Sequence, residues 1–60
     1  MDTEAKQKAF QEWLKKVNNI VILKTGLDLL DLPDMDYFGM WERGVSPKSA
    51  ATRAVRNANE

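Results

Sequence analysis

Apolar residues recur along the first third of the chain at intervals of three and four: Phe10, Trp13, Leu14, Val17, Ile20 and Val21. That spacing lines one stripe of an α-helix, with Lys6, Lys8, Glu12, Lys15, Lys16 and Asn19 filling the other side. The pattern predicts a helix over residues 3–24. Thr3 or Asp2 can cap its start, and Glu4 stands in the first turn, where an acid interacts favourably with the helix dipole. Residues 20–23, Ile-Val-Ile-Leu, are β-branched enough for a strand, but the chain offers no obvious partner strand, and a buried helix end is favoured. Thr25-Gly26 supplies the stop, with Gly26 as the expected left-handed cap.

The pattern then changes. In residues 27–34, LDLLDLPD, four leucines alternate with aspartates, which suits either a short helical turn or an extended loop that tucks leucines beneath the domain. Pro33 turns Leu32 away from helical geometry. Asp34 is the expected N-cap of a second helix ending at Arg43, before Gly44. This helix is rich in aromatics and methionine: Tyr37, Phe38, Met40, Trp41. Gly39 in its middle costs roughly 1 kcal/mol against alanine, which suggests the close approach of another backbone. The third helix has the clearest start, with Ser46 as N-cap and Pro47 as first helical residue. Val45 can staple onto Ala50, and Ala50, Ala51, Ala54, Val55 and Ala58 form a stripe of small residues suited to a close helix contact. The expected fold is therefore all-α: a single small domain over residues 1–60, with helices at about 3–24, 34–43 and 46–58 and a leucine-rich connector after the first.

Length and composition narrow the chemistry. A chain of 60 residues buries only ~60% of its unfolded surface and needs a helper for stability. Cysteine and histidine are both absent, which removes disulfides, thiolate nucleophiles, the commonest general base and the usual zinc ligands. A homo-oligomer is the helper left open. Hydrophobic residues make up 43% of the chain, the composition of a globular protein rather than a disordered one. The longest apolar run, residues 20–23, is far short of the ~20 residues of a membrane span, and no signal segment follows Met1, so the expectation is an intact cytoplasmic protein.

Net charge is zero, but its distribution is uneven. Residues 25–42 carry only acids, Asp28, Asp31, Asp34, Asp36 and Glu42, between two mildly basic ends. Such a dipolar pattern suits protein recognition. The aspartates do not make a calcium loop of the EF-hand kind: counted from Asp28, the sixth position is Pro33 and the twelfth Gly39, where a glycine and a bidentate glutamate are needed. No metal or cofactor is expected. With no phosphate-cradling glycine loop and no nucleophile–base pair, no enzymatic activity is expected either.

Two binding surfaces are candidates. Tyr37, Phe38 and Trp41 cannot all face inward on one short helix, so part of that helix should be exposed beside acids. Asp34, Asp36, Tyr37, Met40, Trp41 and Glu42 are the candidate partner-binding residues. Trp13, by contrast, lies within the first helix's apolar stripe and belongs to the core. The alternative surface is the third helix. GVSPKSAATRAVRN, residues 44–57, reads like the turn and reading helix of a helix-turn-helix, with Lys48, Ser49, Thr52, Arg53 and Arg56 as the DNA-facing residues of a dimer. Met40 four residues before the turn glycine, the nearby acids and the zero net charge weigh against it.

The stretch TGLDLLDLPDMDYFGMWERGVSPKSAATRAV, residues 25–55, resembles a pattern in small phage and bacterial proteins of unassigned activity: Leu32-Pro33-Asp34, an aromatic helix with Tyr37 and Trp41, Gly44, Ser46-Pro47, and Ala50-Ala51. The resemblance implies a phage or mobile-element origin and transfers no functional residue. The expectation is a non-enzymatic module that binds and modulates a host protein. The alternatives are a minimal DNA-binding dimer and a purely structural assembly factor.

Overall fold

The computed structural model describes residues 2–59. Three α-helices, α1 (Asp2–Thr25), α2 (Tyr37–Glu42) and α3 (Pro47–Ala58), are joined by a connector that carries one 3-10 turn, Leu29–Asp31. The fold is the expected all-α, three-helix domain, and no strand occurs among the described residues. Residues 20–23 are helical. Only Val21 of the four is fully buried; Ile22 and Leu23 are exposed, against the expectation of a buried helix end. The reason is geometric: successive helical residues step by about 100° around the axis, so four in a row cannot share one buried face.

α1 and α3 run parallel. The Trp13 indole N–H at the start of their contact donates to the Val45 carbonyl, just before α3, at 2.9 Å. At the far end, Lys24 lines a shallow groove together with Thr52, Val55, Arg56 and Asn59. Both helices therefore end on the same side, where Lys24 and Arg56 in their last turns offset the negative ends of two aligned dipoles. The core lies between them: Val17 and Val21 of α1 meet Ala50, Ala51 and Ala54 of α3, and Leu29 and Met40 close the sides. Alanine lets the helix backbones approach closely, but it contributes little apolar volume.

A parallel pair obliges the chain to travel back along α1 between its two members. Gly26, at φ 75°, turns it out of α1, as expected of a left-handed cap. Asn18 then holds the return. Its side-chain oxygen accepts from the Leu29 amide at 2.7 Å, and its side-chain nitrogen donates to the Asp28 carboxylate at 3.3 Å. Asp28 in turn caps the 3-10 turn by accepting from the Leu30 amide at 2.9 Å. These two bonds, the backbone one first, hold the Asp28 carboxyl below its ordinary range.

The start of α2 differs from the expectation. Its N-cap is Asp36, which accepts from the Gly39 amide at 3.0 Å, and not Asp34. Residues 34–36 stay outside the helix: the Tyr37 amide donates to the Met35 carbonyl, and the Met35 side chain packs against the core. This also explains Gly39. A Cβ there would run into the Asp36 carboxylate, whose Cγ would stand 2.8 Å away, so the close neighbour is the capping side chain and not a second backbone. α2 ends in a Schellman turn: the Gly44 amide donates to the Trp41 carbonyl and the Val45 amide to that of Met40, both at 3.0 Å, with Gly44 at φ 80°. Ser46 caps α3 by accepting from the Ser49 amide at 3.2 Å.

Candidate functional site

α2 is six residues long and cannot hold itself together; isolated helices of that length are not stable in water. It is fixed by its neighbours. Phe38 and Trp41 reach across to Phe10 of α1, with ring centroids 5.2 and 5.6 Å away, and to each other at 5.5 Å. Phe10 stacks in turn on Trp13 at 6.0 Å. Four aromatic rings thus form a ridge across the α1–α2 junction, at spacings where edge-to-face and offset contacts are favourable. Thr3 through Ala9 are exposed, and Phe10 is the first residue after them to pack.

The six candidate partner-binding residues separate into two groups. Asp34, Asp36 and Glu42 are exposed, and Trp41 is half-exposed on the ridge. Met40 is core, 3% exposed, and offers no surface to a partner. It joins the core cluster, against which Val45 also packs, while Phe38 stays on the outside of so short a helix. Tyr37 also leans inward: the side chain is half-buried and its hydroxyl is buried without a hydrogen-bond partner among the described residues. Burial, and then the Asp34 carboxylate, raise its pKa. Phe38, outside the expected set, is the exposed aromatic, at 46%. Glu42 stands four residues on, along the same helix face. The surface is therefore an exposed phenyl ring and a half-exposed indole beside three exposed carboxylates, with Arg43 at its far end.

On α3, Lys48, Ser49, Arg53 and Arg56 are exposed and Thr52 is half-exposed. At 3.6 residues per turn the five span about 140° of arc, opposite the alanine stripe, so they form one outward face. Thr52 turns its hydroxyl back to the Lys48 carbonyl at 3.0 Å, which takes one polar group out of that face. The six-residue α2 would be a short first helix for a helix-turn-helix. Among the described residues, no group of three acidic side chains comes together in a way that could hold a metal ion. Nor is any helix among them long and apolar enough to cross a membrane.

Compared with protein-family models, curated proteins and solved structures, the chain finds no match.

Proposed function

We propose that the chain is a non-enzymatic protein-binding module, and that the ridge formed by Phe38 and Trp41 with Asp34, Asp36 and Glu42 is its docking surface. The observation that carries this reading is Phe38: exposed at 46%, backed by the rings of Phe10 and Trp41 and rimmed by acids on an otherwise weak helix. Exposed aromatics with a rigid backing are common anchors of protein interfaces. The acids fit a partner with an apolar recess and a basic rim. The residue pattern noted above adds a setting, a phage or mobile-element factor that alters a host protein.

The test is affinity capture from host lysate after nuclease treatment, comparing wild type with Phe38→Ser and with the double variant Asp34→Lys/Glu42→Lys. Asp34 and Glu42 are chosen because Asp36 caps α2, and its reversal would unfold the helix being tested. The expected result is one stoichiometric protein retained by wild type and lost by both variants, with the helicity of the charge-reversal variant unchanged, so that its loss reports the surface and not the packing of α2. Equal recovery by all three removes this surface. The second reading, DNA binding by α3, has the exposed face of Lys48, Ser49, Arg53 and Arg56 in its favour. It requires duplex binding at low salt that weakens in Arg53→Ala and Arg56→Ala and has a reduced salt slope.

A further inference from the structure

Three side chains of α2 share one arc. Counted round the helix at about 100° per residue, Trp41 stands roughly 60° to one side of Phe38 and Glu42 roughly 40° to the other. Phe38 and Glu42 are exposed, and Trp41 is half-exposed. The two rings meet at a centroid distance of 5.5 Å and an interplanar angle of 47°, and each also rests on Phe10 of α1. Phe38 is thus held in place while nearly half of it stays open to solvent. An aromatic face attracts a cation through its quadrupole. A carboxylate one helical turn on, with Cβ atoms about 5–6 Å apart, can accept hydrogen bonds from that same cation.

We infer that this arc is the seat of an arginine side chain of the partner: its guanidinium lies over the Phe38 ring, beside Trp41, and its N–H fork donates to the Glu42 carboxylate. The inference rests on the ridge being a docking surface and names the group that the surface grips.

Two observations select that group. The first is charge. All the charged residues between positions 25 and 42 are acids, and Asp34, Asp36 and Glu42 are exposed. Asp36 already spends one oxygen on the Gly39 amide, so Glu42, on the Phe38 arc, is the carboxylate best placed for a ligand. Arg43 follows about 140° round the helix from Phe38, off the arc. An uncharged anchor would desolvate Glu42 without giving it a partner, which is costly, and an anionic one would be repelled. The second is shape. The arc offers a flat ring and a two-oxygen acceptor side by side. A guanidinium is planar, stacks on aromatic faces and donates in a fork that fits a carboxylate, whereas an ammonium is compact, more strongly hydrated and matches the charge alone.

The test is an NMR titration of the labelled protein with N-acetyl-arginine amide at constant ionic strength. N-acetyl-lysine amide, with the same charge, and N-acetyl-citrulline amide, with nearly the same shape and no charge, are the comparisons. The arginine probe should give saturable shifts of the Trp41 indole N–H and of the amides of residues 38–42. It should bind roughly threefold or more tightly than the lysine probe, and the citrulline probe should give no saturable shift. Glu42→Gln should weaken the arginine probe roughly two- to fivefold. Phe38→Leu, which keeps an apolar side chain against α1, should weaken it by about as much. Asp31→Asn removes the same charge from the connector's turn and should leave the affinity unchanged. Glu42→Gln, at an exposed position, carries the test should Phe38→Leu alter the helical far-UV spectrum. Equal affinity for the arginine and lysine probes, or binding that Glu42→Gln leaves unchanged, overturns the inference. A host protein captured through Phe38 with no saturable arginine shift overturns it as well, and leaves the docking reading standing. Arginine shifts on the arc with no captured partner do the reverse.

Discussion

The bond from the Trp13 indole to the Val45 carbonyl, 2.9 Å long, ties α1 to the turn between α2 and α3. Trp13→Phe removes it and leaves a smaller ring in the same stripe. The hydrogen bond contributes about 1 kcal/mol net, and the half-buried carbonyl it leaves behind is partly rehydrated, which keeps that cost at the low end. Losing the pyrrole part of the ring forfeits roughly 40 Å² of apolar contact, or about 1 kcal/mol. The expected loss is therefore about 2 kcal/mol. In a 60-residue domain that lowers Tm by roughly 8–16 °C. Trp41→Phe is the control, because it trims the same ring on the ridge without breaking that tie, and it should cost about 1 kcal/mol or less. Urea denaturation followed by far-UV circular dichroism measures both, at one protein concentration. Equal losses for the two variants would refute the argument that Trp13 acts as a tie as well as a packing residue.

Three further outcomes follow from the local geometry. Tyr37→Phe should leave stability unchanged or raise it by up to about 1 kcal/mol, since it deletes a buried hydroxyl that has no partner; a clear loss in thermal denaturation would mean the hydroxyl is satisfied. Gly39→Ala should give almost none of the ~1 kcal/mol that the swap brings in an ordinary helix, because the added Cβ displaces the Asp36 cap, worth about as much; full stabilisation in urea would contradict the cap geometry. Asn18→Ala should destabilise the domain at neutral pH, by about 1 kcal/mol from the lost bond to the Leu29 amide and further through the lost bond to Asp28. The Asp28 share of that loss depends on pH. Its carboxyl titrates below the ordinary 3.8 in the folded chain, so its contribution is present above that value and is lost as pH falls through the folded value. The gap between wild type and Asn18→Ala should therefore narrow below pH 3.8 without closing, the Leu29 bond remaining; a gap constant with pH would show that Asp28 plays no part.

The helices were legible in the sequence because their signals are local. Gly26 and Gly44 take the left-handed conformation expected of helix stops, Ser46-Pro47 opens α3, and the stripe from Phe10 to Val21 packs inward with Val17 and Val21 at its centre. What the pattern could not show is anything that depends on pairing between elements. Asp34 and Asp36 are equivalent as caps by residue type, and the choice falls to Asp36 because Met35 turns into the core. Asn18 reads as one more polar residue on α1, and its hold on the connector exists only once the chain returns past it. On α2, aromatic content suggested exposure, but a helix of six residues has one inner arc, and Met40 occupies it while Phe38 is left outside. An exposed Phe38 could have been inferred from its register with Glu42, four residues along.

The topology also accounts for the exposed leucines. Two antiparallel helices can be joined by a link of ~2–8 residues. A parallel pair cannot; here residues 26–46, with α2 among them, carry the chain back along α1 before α3 begins. The side of α1 facing the connector is only wide enough to bury Leu29, and Leu32 in part, so Leu27 and Leu30 are left outside. Leu23 has a simpler cause: it stands on the arc of α1 turned away from Val17 and Val21. Nothing in the packing of one chain gives positions 23 and 30 a reason to be apolar, since polar side chains would serve a monomer equally well there and cost nothing in the core.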